Sequence, residues 1–468
     1  MASFVLPTCE RPALLRRSLG SVLQALRADS GITVVRVVDD SRSVEAQQET
    51  RRVVEHLGAN AEVPVVYLGP DERSRLAERI RQRVPGAVPA DVLRHALLGW
   101  AEAPVGRGGG GARNSAVLAG AGEPVLSLDD DARFEFVALT DTLNNQDKSF
   151  ETVEVREAGE RFQQGTVDSL RRINRLTEPV EQDLVARMLE ALGGSGNDGT
   201  GRPVRAVMTG IAGNRWYQRL DPNFHSRGGP RELMLRSRRR FRRGLAAGYS
   251  LMQSRSPMLT DSPFLVTCCH AVQTQVLVPP FPPDVRSEDT LFARLLRRYE
   301  PESLIAHLPV MVCHDLGPRR PDPWRDPHAQ TPTRDTITTG MLTDTLNRAI
   351  PQPGRAGLRA LGVRLQEVAA LPPADWRAWA HAIWAQTLGA AAFSQKQSLA
   401  RFNERPDFWA TDVRRSHDRI ASASPALSAP FLGELEAVRG YLHGMGDLLR
   451  WWPEIWDAAL ALQQEQSG

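Results

Sequence analysis

Asp129, Asp130 and Asp131 close a short apolar run, Pro124-Val125-Leu126-Ser127-Leu128, so three carboxylates stand where a buried strand should reach the surface. Carboxylates this close repel one another, and an oxygen-ligated divalent cation neutralises them at a strand end. An acidic loop in which one Asp caps the next helix is the plainer alternative. A second acidic strand end precedes this one, where Val37-Val38 runs into Asp39-Asp40-Ser41. A carboxylate there can accept hydrogen bonds from an imide N–H or from ribose hydroxyls, although ordinary turns use the same residue types. Between the two lies a glycine cluster, Gly106 to Gly111, followed by Arg113 and Asn114. Glycines admit a diphosphate close to the backbone, and a helix beginning near Ala112 would aim N–H groups and Arg113 at phosphate oxygens. A flexible loop before a helix is the rival reading.

Further along, Ser287-Glu288-Asp289-Thr290 opens a helix with Ser287 as its cap and Leu291, Leu295 and Leu296 on its apolar face. Two acids in a first turn are favoured by the helix dipole alone. The chemical reading makes one of them a general base, which needs a carboxylate whose pKa is raised by partial burial and neighbouring acids. His314 and Asp315 follow the apolar strand Leu308 to Cys313. A lone histidine there is commonly structural, and it could also complete a metal shell begun by the Asp triplet.

These groups need a scaffold. Residues 4 to 6 read as a strand, Leu15, Leu19, Val22 and Leu26 fall at helical spacing after a first-turn Pro12, and Ile32 to Val38 is a β-branched strand. Val65 to Leu68 adds a strand, then come an Arg-rich helical stretch, a small-residue helix from about Ala112 to Ala121, and the strand that delivers the triplet. Such alternation predicts a mostly parallel sheet flanked by helices, with functional groups at the carboxyl ends of its strands. Residues 136–245 change to polar helical segments, a Gly-rich break at 193–201 and an arginine-dense run, Arg231 to Arg243, and read as an inserted, acceptor-side subdomain. Residues 246–317 would finish the sheet, with strands near Phe264 to Thr267 and Leu308 to Cys313. A linker or mobile loop is expected at 318–332. A Trp-rich helical domain at 333–468 would complete the chain.

The chain has 468 residues, 41% hydrophobic and 24% charged, an ordinary balance for two or three globular domains. A net charge of +3 is too small to argue for a nucleic-acid or membrane partner. Nearly every basic residue is arginine, Lys148 and Lys396 being the lysines, which reads as codon bias. The cysteines Cys9, Cys268, Cys269 and Cys313 form no Cys-x-x-Cys pair, and no stretch of about 18 apolar residues occurs. With no basic leader ahead of Phe4-Val5-Leu6, a reducing, cytoplasmic location is expected.

Five segments in order, Leu6-Pro7-Thr8-Cys9-Glu10-Arg11-Pro12, Val37-Val38-Asp39-Asp40-Ser41, Gly111-Ala112-Arg113-Asn114, Leu128-Asp129-Asp130-Asp131 and Ser287-Glu288-Asp289, resemble the motifs of family 2 glycosyltransferases with the GT-A fold. The resemblance covers roughly residues 3–135 and 260–316. It implies an enzyme that transfers a hexosyl or N-acetylhexosaminyl group from a nucleotide-diphosphate sugar, UDP being the carrier inherited from the family. The base would lie near Pro7, Thr8 and Asp39, with Asp40 close by, and Glu10, Arg11, Arg113, Asn114 and Asp130 would line the donor site. Asp129 would lie nearer the ribose. Asp131, with Asp129 and His314, would ligate Mn2+ or Mg2+, a Lewis acid for the departing diphosphate. Family members mostly invert, which assigns Asp289 as general base with Glu288 supporting it. Two departures stand out: Asp39-Asp40 runs into Ser41-Arg42-Ser43 where the family often has Asp-Asp-Gly-Ser, and Cys268-Cys269-His270 lacks a glycine-rich character.

The acceptor is open among a peptide, a small natural product and a soluble glycan precursor, and membrane-spanning polysaccharide synthases are disfavoured. Two other functions use parts of the same evidence. One is a nucleotidyltransferase or non-catalytic nucleotide-binding scaffold on the same sheet. The other is a polyanion binder using the Arg231 to Arg243 run, for which a solvated helix face is the plainer account. Trp376, Trp379, Trp384, Trp409, Trp451, Trp452 and Trp456 read as core, and as a homodimer or acceptor contact in the alternative.

Overall fold

The computed structural model describes the chain apart from residues 85, 87, 100–108, 147, 154–160, 168–169, 194–200, 215–231, 233–234, 248, 315–332, 351, 402–405, 424–428 and 468. The linker expected at 318–332, Asp315, Arg231 and most of the 193–201 break lie outside the described residues. So do Gly106 and Gly108.

The N-terminal half follows the hydrophobic pattern closely. β1 (Ala2–Thr8), α1 (Pro12–Ala25), β2 (Ile32–Asp39), α2 (Val44–Gly58), β3 (Val65–Leu68), α3 (Pro70–Arg81), α4 (Ala90–Leu98), α5 (Gly110–Ala119) and β4 (Val125–Leu128) succeed one another. α1 starts at Pro12, whose fixed φ suits a first turn, and buries Leu15, Leu19 and Val22. β1, β2, β3 and β4 are parallel, in the order β3-β2-β1-β4. β1 is buried on both faces, as a central parallel strand must be.

Past β4 the sheet becomes mixed. β5 (Ala132–Leu139), β6 (Glu151–Val153), β7 (Phe162–Val167), β8 (Thr177–Pro179), β9 (Val204–Asn214), β10 (Tyr249–Ser254), β11 (Met258–Thr260), β12 (Cys269–Val272) and β13 (Leu304–His314) complete it. Among the described residues its main path runs β3-β2-β1-β4-β12-β9-β13-β11-β6. β12 is antiparallel to both β4 and β9, and β9 is parallel to β13. Consequently β1 to β4, β9 and β13 all point one way. The carboxyl ends of β1, β2, β4 and β13 therefore deliver Thr8, Asp39, Asp129 and His314 to one edge, where open α/β sheets carry their sites.

Two expectations need correction. Residues 136–245 are not a purely helical insertion: beside the helices Leu170–Leu176, Leu184–Gly193 and Arg238–Ala247 they supply β6 to β9, and β9 is central, its Val204, Ala206, Val207, Met208 and Ile211 fully buried. The short polar strands Glu151–Val153 and Phe162–Val167 carry too little apolar alternation to be read locally, and pairing partners far along the chain define them. The expected strand near Phe264 to Thr267 is an irregular segment, with β12 beginning at Cys269 instead.

Beyond residue 333 the described elements are helices, chiefly Arg334–Arg348, Gly354–Ala369, Pro373–Arg401, Asp407–Ala421 and Leu435–Ser467. One apolar core runs from Leu126 and Val278 of the sheet side through Leu291 to Leu449 and Trp452. The Leu435–Ser467 helix is tied down further by Trp452 Nε1 donating to the Val278 carbonyl (2.6 Å) and Tyr441 Oη donating to that of Pro283 (2.7 Å). Trp376, Trp384, Trp409, Trp452 and Trp456 are buried, so packing accounts for them. No helix among the described residues is long and apolar enough to cross a membrane.

Candidate active site

Each strand end contributes differently. Asp39 is buried, and its carboxylate accepts from Ser41 N (2.9 Å) and Tyr67 Oη (2.8 Å), while burial raises its pKa. It braces the turn and does not line the small pocket. The residue that reaches the pocket is Asp40, held by the fully buried Arg73 (2.6 Å). Arg73 also donates to the Asp39 carbonyl (3.0 Å), to Ser115 Oγ (2.9 Å) and to the Leu97 carbonyl, locking β2 to α3, α4 and α5. One arginine in an Arg-rich helix carries no local signal of this role.

Within the triplet the three side chains diverge. Asp130 accepts from Thr8 Oγ1 (2.7 Å) and Arg11 (3.2 Å), and burial followed by the charge of Asp131 pushes it up to about 7. Asp131 accepts from Arg11 (2.9 Å) and lies 3.2 Å from His314 Nε2. Burial alone would raise Asp131, but the His314 hydrogen bond and charge, with Arg11, pull it below the ordinary carboxyl range. The strand register explains the meeting, since β13 pairs antiparallel with β5 and sets His314 opposite Ala132. Asp129 turns to Arg113 (2.9 Å), and its backbone N–H donates to the Cys268 carbonyl (3.0 Å).

Two further residues expected in the donor site have other roles. Asn114 donates to the Ala96 (3.0 Å) and Phe281 (2.8 Å) carbonyls and accepts from Phe281 N (2.8 Å), stitching α5 to the segment ahead of the acidic helix. Glu10 accepts from the backbone N–H groups of Arg42 (2.7 Å) and Ser43 (2.9 Å), closing the turn after β2. The glycines also divide. A Cβ on Gly110 would collide with the Pro282 carbonyl, so that glycine serves close packing, whereas Gly109 borders the pocket.

The helix Glu288–Tyr299 opens as expected, with Ser287 at its cap position but without a capping side-chain hydrogen bond. Glu288 Oε1 lies 3.6 Å from Arg113 Nε. Arg113 is 93% buried at its side chain, and among the described residues its Nε and Nη1 have no hydrogen-bond partner. Burial, then the charge of Asp289, pushes Glu288 up to about 8, and burial raises Asp289 too. Asp289 Oδ1 accepts from Thr290 N (2.7 Å).

Two cavities meet here. A small pocket of about 250 Å³ runs over Pro7, Thr8, Arg11, Asp40 and the triplet, and a cleft of about 1000 Å³ lies on the side of Asp289 and His314. Arg113, Asp129, Arg286 and Glu288 border both. Arg286 was not singled out from the sequence, although its place just before Ser287 was the available signal.

A metal can be tested against these groups. Among the described residues no three His, Cys, Asp or Glu side chains form a ready cage. Small divalent ions are commonly held by one or two carboxylates with the remaining ligands from phosphate and water, and carboxylate with imidazole suits Mn2+. Asp131 beside His314, with Asp129 on the same edge, meets that description.

Glu288 gives a direct check. An acid whose folded pKa lies above its unfolded value contributes stability that is complete below the unfolded value near 4.5 and is lost as pH rises through about 8. The melting temperature of the native chain relative to Glu288→Gln should therefore fall between pH 4.5 and 8. A difference that stays constant across that window would contradict the buried, proton-retaining Glu288.

No family model matches this sequence, and no curated protein matches it. Among solved structures, a mannosyltransferase of Pyrobaculum calidifontis in complex with GDP-Man and Mn2+ is 15% identical, with 96% of this chain and 87% of that chain covered and a TM-score of 0.36. A likeness of that size fixes neither fold nor chemistry.

Proposed function

We propose that this protein transfers a glycosyl group from a nucleoside-diphosphate sugar to an acceptor nucleophile by single displacement with inversion. The observation that carries this is the meeting of the two cavities at Arg113, Asp129 and Glu288, with Asp289 on the cleft side. The five ordered motifs, each of which brings at least one residue to these cavities, support the same reading.

On this reading the nucleotide lies over Pro7, Thr8 and Asp40, and the diphosphate lies by α5, whose first N–H groups and macrodipole favour anions. The buried Nε and Nη1 of Arg113, without hydrogen-bond partners among the described residues, can donate to a phosphate oxygen while Nη2 keeps Asp129. Asp131, Asp129 and His314 would hold Mn2+ or Mg2+, which when bound supplies Lewis-acid charge to the leaving diphosphate. Asp289 takes the proton from the acceptor as its oxygen or nitrogen attacks the anomeric carbon and the bond to the diphosphate breaks. Glu288, buried and pushed up to about 8, stays largely protonated at neutral pH, which favours Asp289 over it as the proton acceptor.

A melting screen of UDP- and GDP-sugars with and without Mn2+ tests this. A true donor at a hundredfold excess over its Kd should stabilise the fold by roughly 2.7 kcal/mol, and only when metal is present. Stabilisation by free nucleotide equal to that by the sugar conjugate would favour a nucleotide-binding scaffold. A nucleotidyltransferase would instead release pyrophosphate from a nucleoside triphosphate.

A further inference from the structure

The large cleft has a wall that the transfer chemistry does not use. From the helix Arg334–Arg348, Thr336, Thr339, Thr343 and Asn347 line it, at offsets of three, seven and eleven that place them on one stripe. Gln386 and Thr387 join them from the helix Pro373–Arg401. The two helices come close because Gly340 faces Ile383, whose Cγ2 a Cβ at 340 would strike.

Hydroxyls and amides of this kind both donate and accept, as the hydroxyls of a sugar do. Thr339 Oγ1 is buried with no hydrogen-bond partner among the described residues. Arg113, at the cleft's inner end, likewise has two buried N–H groups without hydrogen-bond partners among them. Charge narrows the class. The cleft's arginines, Arg113 and Arg286, stand at the junction with the small pocket, and the helical wall adds no cation. Its acids are already engaged: Asp335 accepts from Arg286 N (2.8 Å), and Asp344 accepts from Trp379 Nε1 (3.0 Å) and pairs with Arg348 (2.8 Å). Among the described residues, a phosphorylated or carboxylated acceptor would find acids near it and no counterion beyond the junction. At about 1000 Å³ the cleft is at the upper end for small-ligand sites, with room for more than one sugar ring.

We infer that the Thr336-Thr339-Thr343 wall binds a neutral, polyhydroxylated acceptor, an oligosaccharide or a comparable polyol, and holds one of its hydroxyls before Asp289. This deepens the transferase reading and rests on it for the direction of attack, but binding itself can be measured without any donor.

The test is saturation-transfer NMR on the full chain with maltotriose, cellotriose and chitotriose as neutral probes and trigalacturonate as the anionic one. At least one neutral trisaccharide is expected to bind, and to lose at least tenfold in affinity in Thr339→Val/Thr343→Val. It should bind normally to Thr339→Ser/Thr343→Ser, which keeps the hydroxyls. Binding of trigalacturonate alone, of no probe, or of the neutral probe equally to the valine variant overturns the inference. Loss in the serine variant as well as the valine variant also overturns it, since shape rather than hydroxyls would then decide. Neutral saccharide binding in a protein that no nucleotide sugar stabilises would uphold this cleft and sink the transferase reading. Nucleotide-sugar binding without saccharide binding does the reverse.

Discussion

Asp289→Asn is expected to lower transfer to the acceptor by roughly 10³-fold, within the range set by loss of a general base, while donor binding is retained. The amide keeps the shape and the bond from Thr290 N, so the change removes proton acceptance and little else. Single-turnover transfer and isothermal titration with the nucleotide sugar separate the two effects. Unchanged turnover would reduce Glu288 and Asp289 to a favourable helix start. Glu288→Gln should be much milder, because a residue that holds its proton at neutral pH is not the base.

Asp131→Asn should have a loss of similar size, about 10³-fold in kcat/KM, through weakened charge stabilisation at the leaving group. Asp130→Asn provides the contrast. Its carboxyl faces Thr8 and Arg11; in the amide Arg11 can still donate to the oxygen and the Thr8 hydroxyl can accept from the nitrogen, so the expected loss is tenfold at most. Metal titration of activity supplies the second readout, with the midpoint moving for Asp131→Asn and staying for Asp130→Asn. If the two variants lose equally, or if Asp130→Asn loses more, the division of labour within the triplet is wrong.

Only the family resemblance separates those neighbours in the sequence; three identical residues in a row carry no local signal of which faces Thr8 and which His314. A strand end alternates its side chains between faces, and what each face meets depends on the end of β1 with Arg11 just past it and on β13, more than a hundred residues away in each case. Asp39 and Asp40 show the same limit. Both were legible as a strand-end pair, but Arg73 from one side and Tyr67 from the other decide that Asp39 is a strut and Asp40 a pocket residue. Asn114 looked like a ligand group because it follows Arg113, and only the approach of Phe281 reveals it as a stitch between segments.

Local patterns alone determined the parallel half of the sheet, α1 with its Pro12 start, the acidic helix start at Glu288 and the acidic end of β4. Each follows from hydrophobic period, backbone restriction or dipole, which act over a few residues. The tertiary structure decided the rest: that residues 136–245 contribute strands to the sheet, that Asn114 stitches segments together, and that a threonine wall lines the same cleft as Asp289. Those outcomes depend on strand pairing and helix docking between distant segments, where register and close approach choose among options that neighbouring residues leave equal.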